Sequence, residues 1–259
     1  MKSVAAHAKI NLALVVGPVR ADGKHELATV LQRIDLADRI SLEAADETEV
    51  QGFPEDTLVR EALRALGVTA TVHIEKRIPV TAGLGGGSSD AAAALRLANE
   101  LRPEPLTAPR LHALAGGLGA DVPFFLAEGP QLGTGDGTEL SPVELGSDYT
   151  VLVVLPAGAQ KASTASVYEA FSGADGFGER RAALERALEA GDIAALPAND
   201  LASSPLTDEL KELGAFRADV SGAGPAVYAL FAEEEQAAAA RAVLANRGQT
   251  WLTKPAWYG

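Results

Sequence analysis

Four glycines fall within five positions, Gly83, Gly85, Gly86 and Gly87, and run directly into Ser88, Ser89 and Asp90 in the stretch IPVTAGLGGGSSDAAAAL, residues 78–95. Backbone N–H groups converge on one point only along a chain path that residues without Cβ follow easily. A helix starting at Ser88 or Ser89 adds its own free N–H groups and the positive end of its dipole. This is the chemistry of an anion cradle. The two hydroxyls can cap the helix, bind a phosphate oxygen or reach a magnesium ion; the plainer alternative is a flexible bend followed by a serine N-cap. Lys9 and Asn11 stand two apart in a segment of strand character, so their side chains share one face, where Asn11 can hydrogen-bond a polyol. Asp121 lies between Gly119-Ala120 and Val122-Pro123-Phe124-Phe125, a carboxylate beside apolar chain. A nearby ammonium would keep it ionised and make an acceptor hydroxyl more nucleophilic. A turn cap and an ordinary surface lysine are the plainer readings of Asp121 and Lys9.

Two familiar nucleotide loops do not match. No lysine follows the last glycine, so the G-x-x-x-x-G-K-[ST] pattern is absent, and the acid expected of a dinucleotide fingerprint after a first strand is missing too. The formal net charge of −13 argues against a broad surface for nucleic acid and points to small-molecule partners. The absence of cysteine excludes disulfides, thiolate nucleophiles and thiolate-bound zinc. His7, His25, His73 and His112 have no helical ligand spacing such as i, i+4, so no histidine-based metal site is expected. The apolar N-terminus is interrupted by His7, Lys9 and Asn11 and is too short for a membrane span. A cytoplasmic enzyme is the expectation.

Strands are predicted over residues 4–16, 27–34, 39–43 and 69–77, with a helix before Gly67 carrying Leu58, Ala62, Leu63 and Leu66 on one face. Ile78-Pro79 then forces extended chain into the glycine loop. An alanine-rich helix over 90–101, a shorter helix and a buried apolar segment containing Asp121 complete the first half. Turn residues over 131–148 suggest a boundary near 143–149 and two domains, 1–146 and 147–259. Beyond it come an apolar strand, YTVLVVLP, and an amphipathic helix, ERRAALERALEAGDIAAL. Two strands follow around a second glycine turn, and then a helix with acids in its first turn and Gly248 after its end.

PVTAGLGGGSSDAA resembles the glycine loop of the GHMP kinases, the group containing galactokinase, homoserine kinase and mevalonate kinase. AKINLALVVGPVRADGKHEL (residues 8–27), LGADVPFFL, NDLASSPL and DVSGAGPAVYALF (residues 219–231) are similar to further blocks of that group, in order and over nearly the whole chain. The resemblance implies an α+β fold of two domains with the active site in the groove between them. The N-terminal domain would be ribosomal protein S5 domain 2-like, with a left-handed βαβ element, and the C-terminal one an α/β-sandwich of ferredoxin-like type. It implies transfer of the γ-phosphoryl of ATP, with Mg2+ held mainly by the ATP phosphates. The R-x-D-G-x-H and G-A-D-V-P-F-F blocks select a branch acting on the 2-hydroxyl of a cytidine diphosphate-linked methylerythritol, in non-mevalonate isoprenoid synthesis.

By this resemblance Asp121 is the base and Lys9 the cation that orients the hydroxyl. ATP falls to Lys76, Pro79, Val80, Thr81, Ala82, Gly83, Leu84, Gly85, Gly86, Gly87, Ser88 and Ser89. Asn11, Lys24, His25, Tyr168, Gly222 and Gly224 take the acceptor, with His25 reading the cytosine. The chain departs from the family pattern at Lys24, where an aromatic ring is usual, at Ala223, where serine or threonine is common, and at Asp56-Thr57-Leu58, where D-N-L is usual. A monomer or homodimer fits. The alternatives are another small-molecule kinase of the group, of homoserine or mevalonate type, or a catalytically silent nucleotide-binding protein on the same fold.

Overall fold

The computed structural model describes residues 1–159 and 163–256. The chain forms two compact units: Met1–Ala8, Leu36–Val80 and Gly85–Glu128 make the first, and Lys9–Asp35, Thr81–Leu84 and Gly129–Gly259 the second.

The first unit takes the start of a long strand β1 (Lys2–Val19) and the end of a longer one, β2 (His25–Ala44). Residues 27–34 and 39–43, expected as separate strands, are therefore continuous: no glycine or proline stands between them to break the extended chain. β3 (Glu49–Gln51) pairs in parallel with β4 (Ala70–Glu75), which pairs antiparallel with β2 from Arg39↔Glu75 to Ala44↔Ala70. Between β3 and β4, α1 (Leu58–Leu66) buries Val59, Ala62, Leu63 and Leu66; Val59, not Leu58, takes the inner position. It ends on Gly67 at φ 65°, whose N–H returns to Arg64, the glycine stop expected from the sequence.

Helix α2 (Gly86–Asn99) packs on α1 and is buried almost all round, including Ser89, Asp90 and every residue from 91 to 95. Alanine side chains make that possible, since they let neighbouring backbone approach closely. α3 (Ala108–Leu118) follows, and a 3-10 turn at Pro123–Leu126 buries Phe124 and Phe125.

In the second unit, β2 pairs antiparallel with β5 (Gln131–Gly135), from Leu27↔Gly135 to Leu31↔Gln131, and β5 with β6 (Glu139–Pro142). The turn-rich stretch read as connecting chain is thus a hairpin around Asp136-Gly137. The rest of the unit is an antiparallel sheet in the order β10-β7-β9-β8. Its strands are β7 (Thr150–Pro156), β8 (Arg217–Val220), β9 (Val227–Phe231) and β10 (Gly248–Thr253), with helices α4 (Thr164–Glu169), α5 (Phe177–Glu189), α6 (Leu206–Glu212) and α7 (Glu234–Val243).

Leu152, Val154, Leu210, Val227, Phe231, Ala237 and Leu244 form one core under this sheet. Gly248, expected to end the last helix, instead opens β10, and α7 closes on Leu244. After β10 the chain lies along β2, where Ile34 bridges Pro255 and Asp35 N–H donates to the Lys254 carbonyl at 2.9 Å. No helix among the described residues is long and apolar enough to cross a membrane.

Candidate active site

Lys9 and Asn11 sit on the part of β1 that belongs to the second unit, both buried, and Lys9 Nζ donates to Asn11 Oδ1 at 2.6 Å. The Asn11 amide nitrogen donates to Thr29 Oγ1 at 2.9 Å, and Thr29 in turn donates to the Ala13 carbonyl at 2.8 Å. Alternation along β1 explains the shared face, while β2 supplies Thr29, a residue the sequence pattern did not single out. Asn11 is thus oriented at both ends, with its oxygen turned to the Lys9 ammonium.

Gly222 closes on the same point. At φ +57° it adopts a conformation that favours glycine, and a Cβ there would lie 3.4 Å from Lys9 Nζ and 3.3 Å from the Gly83 carbonyl oxygen. A Cβ on Gly83 would run into the carbonyl oxygen of Ser221. Two glycine turns far apart in sequence therefore meet backbone to backbone beside Lys9 and Asn11. Gly224, at φ +76°, donates its N–H to the Ser221 carbonyl at 2.9 Å and holds the second turn closed.

Helix α2 begins at Gly86, with Gly85 at its N-cap in the left-handed region, φ 72°. Ser88 and Ser89, expected at the helix start, stand inside its first turn, because the glycines themselves enter the helix. Ser89 is fully buried and its Oγ has no hydrogen-bond partner among the described residues. Before the loop, Pro79 is half-buried, Val80 is exposed, and Thr81 takes φ 58°, the one positive φ among the described non-glycine residues.

Lys76 lies in the first unit between two buried acids, at 2.6 Å from Asp38 Oδ2 and 2.7 Å from Asp90 Oδ2, with the Phe53 ring 5.6 Å from its ammonium. Asp38 also accepts the N–H groups of Arg77 and Ile78. Burial alone would pull the Lys76 ammonium down, but the charge of Asp90 and the hydrogen bonds to both acids hold it above the usual lysine value. Burial, and after it the charge of Asp38, push the Asp90 carboxyl up to about 8 despite Lys76. A Cβ at position 86 would crowd Ile78 Cγ2 at 3.2 Å and Lys76 Nζ at 3.3 Å.

Asp121 is half-buried in the turn before the 3-10 segment of the first unit, where Val122 N–H donates to the Gly119 carbonyl at 3.1 Å. Apolar walls from Val122, Phe124 and Phe125 follow it. In the second unit, His25 Nδ1 bonds the Gly17 carbonyl at 2.8 Å, so that nitrogen is the donor and Nε2 is left as the acceptor. The His25 ring packs against Tyr168 at 5.8 Å and edge-on against Phe171 at 5.7 Å, a second ring that the sequence reading did not include. Lys24, one residue earlier, turns instead to Asp136 Oδ2. Desolvation raises the Asp136 carboxyl, but the Lys24 and Thr138 hydrogen bonds outweigh it and bring it down to about 2.

The second unit offers an ammonium fixed by an amide, two facing glycine turns and a histidine presenting an acceptor beside aromatic rings; the first offers the N-terminus of α2. The family model described as GHMP kinases N terminal domain matches residues 56–129, and that described as GHMP kinases C terminal matches residues 182–250. The chain is 39% identical over 274 residues to the 4-diphosphocytidyl-2-C-methyl-D-erythritol kinase of Desulfitobacterium hafniense (strain Y51), covering 96% of this chain and 93% of that one. It is 35% identical to the enzyme of that name from Chloroherpeton thalassium, covering 97% of each. Among solved structures it is similar to a 4-(cytidine 5'-diphospho)-2C-methyl-D-erythritol kinase over the full length of both chains, with a TM-score of 0.80 at 31% identity. The homoserine kinase of Cytophaga hutchinsonii, at 18% identity and TM-score 0.71, shares the fold.

Proposed function

This chain belongs to the GHMP kinases, and on that premise we propose that it transfers the γ-phosphoryl group of ATP to the 2-hydroxyl of 4-diphosphocytidyl-2-C-methyl-D-erythritol. That reaction is a step of non-mevalonate isoprenoid precursor synthesis. Its fold is the two-domain α+β fold of that family. The observation that carries the reading is the meeting of Gly83 and Gly222 beside the Lys9–Asn11 pair, which brings a phosphate-loop turn and a cation to one point in one unit. The division into an ATP-binding domain over 1–146 and a second domain over 147–259 is supported by the two family matches, each of which lies inside one of these ranges.

Phosphoryl transfer of this kind asks the protein mainly to position reactants and neutralise charge. In our reading the N–H groups of the glycine loop and the start of α2 receive the phosphates, and Lys76, held between two acids, lies beside the nucleotide. Asp121 takes the proton of the acceptor hydroxyl. Lys9, fixed by Asn11, orients that hydroxyl and balances the developing charge. His25 accepts a hydrogen bond from the cytosine amino group through Nε2, with Tyr168 covering the ring.

The residues present fit a magnesium ion carried by the nucleotide. The unpartnered Ser89 hydroxyl, with Ser88, is the side-chain oxygen available to it, and no cluster of three metal-ligating side chains exists among the described residues. When bound, the ion neutralises phosphate charge. A coupled ADP-release assay across the cytidylyl substrate, mevalonate and homoserine tests the proposal. Turnover of the first is expected; preference for either of the others reassigns the acceptor, and turnover of none makes the chain a silent nucleotide binder.

A further inference from the structure

The turn at 221–226 does more than approach the glycine loop. Three successive carbonyls of that loop are each held by a different donor of the same unit. The Ala82 carbonyl accepts Ala226 N–H at 3.0 Å, the Gly83 carbonyl accepts Ser221 Oγ at 2.9 Å, and the Leu84 carbonyl accepts Lys9 N–H at 2.9 Å. A trans peptide is planar, with its C=O and N–H pointing opposite ways. Fixing each of these oxygens therefore fixes the direction of the N–H in the same peptide, that of Gly83, Leu84 and Gly85 in turn, pointing away from the donor that holds the oxygen. That is the orientation an anion-binding turn needs, and it is imposed from behind the loop.

Of the three donors only Ser221 uses its side chain. Its own placement is tightly set: it is fully buried, its N–H donates to the Ala226 carbonyl at 2.9 Å, and its carbonyl accepts Gly224 N–H at 2.9 Å. Asn199 brackets it, donating through Nδ2 to the carbonyls of Val220 at 2.9 Å and Gly222 at 2.7 Å, the residues on either side. Asn199 is itself fixed, since its Oδ1 accepts Leu201 N–H and its N–H donates to Asp219 Oδ2. A serine hydroxyl in a looser turn would sample several rotamers; here the backbone on both sides is clamped.

We propose that Ser221, held in place by Asn199, is a positioning residue of the phosphate loop: its hydroxyl fixes the Gly83 carbonyl and so aims the Leu84 N–H at the nucleotide. The proposal deepens the function proposed above and rests on the loop receiving the ATP phosphates. Ala223, in place of the family's usual hydroxyl residue, leaves Ser221 as the hydroxyl of the segment 221–224.

The test is calorimetric binding of ADP together with steady-state kinetics. Loss of one ordinary hydrogen bond predicts that Ser221→Ala weakens ADP about fivefold, with KM for the alcohol unchanged within about twofold. Asn199→Asp, which replaces the amide donors with carboxylate oxygen, should shift ADP affinity similarly, and the double variant should be no worse than either single, because both act through one contact. Should the alanine variant fail to fold, Ser221→Cys keeps a similar side chain with a weak donor and carries the same expectation. Unaltered ADP affinity in these variants, equal damage to ADP affinity and alcohol KM, or additive losses in the double variant would overturn the proposal. A wild-type protein that binds ADP but does not turn over the cytidylyl alcohol overturns the acceptor assignment alone; one that does not bind ADP overturns both.

Discussion

The Lys9 ammonium donates to the side-chain oxygen of Asn11 at 2.6 Å, and Asn11 is anchored at its other end by Thr29. A lysine has four rotatable bonds and three equivalent donors, so a fixed acceptor two residues away is what gives its charge a direction. Asn11→Ala should therefore lower kcat by about tenfold or more while leaving KM for ATP within about threefold, the pattern of a lost transition-state interaction. Thr29→Val should show the same pattern more weakly. A rise in the ATP KM with unchanged kcat would assign Asn11 to nucleotide binding instead.

Asp121→Asn keeps the shape of the turn before Phe124 and Phe125 but removes the carboxylate that we propose takes the hydroxyl proton. Transfer should fall by roughly 10²–10⁴-fold, the usual range for a lost general base, with ATP affinity nearly intact. Single-turnover measurements at saturating nucleotide check it, and near-normal turnover would remove Asp121 from the base role.

The acid at position 90 predicts a pH effect. Its value lies well above the ordinary 3.8, so the folded chain holds this proton more tightly than the unfolded one. Between about pH 4 and pH 8 the folded state binds more protons here, and stability is lost as pH rises through that window. Asp38, Lys76 and Asp56 are the charged neighbours whose fields act on it. Asp90→Asn keeps an oxygen for Lys76 without the buried charge, and its unfolding midpoint should gain on the wild type from pH 5 to pH 8.5. A difference that stays flat over that range would mean Asp90 does not titrate there.

Lys24→Tyr separates the exposed Lys24–Asp136 pair from base recognition. Because the Lys24 end of the pair faces solvent, its loss should change stability by about 1 kcal/mol. A ring beside His25 and Tyr168 adds stacking area, so KM for the cytidylyl substrate should fall severalfold. An unchanged or higher KM would show that lysine itself contributes to binding.

The parts of the site that the sequence displayed are those in which one residue type answers one local demand. Gly83, Gly85 and Gly222 stand where backbone must turn left or nearly touch, and Lys9 and Asn11 follow strand alternation. What it hid were partners set by pairing over long separations: Thr29 reaches Asn11 from β2, Ser221 reaches Gly83 across 138 positions, and Asp38 reaches Lys76 across 38. Serine and aspartate have too many ordinary uses for such pairing to be read locally. The start of α2 was misplaced by two or three residues for a similar reason: glycine is a poor helix former, yet at Gly86 the Ile78 and Lys76 side chains pack where a Cβ would stand, and the helix runs through it.

The way β2 is completed has a consequence for synthesis. Every stretch of the first unit has been made once residue 128 is polymerised. The Arg33–Asp35 segment of β2, by contrast, takes partners from Lys254, Pro255 and Ala256, more than two hundred positions later in the chain. A nascent chain must therefore carry this short stretch of β2 without those partners through more than two hundred codons of translation, the interval in which exposed edges recruit wrong partners. Loss of the pairing made by residues 254–256 would then show itself first in the yield of newly made protein.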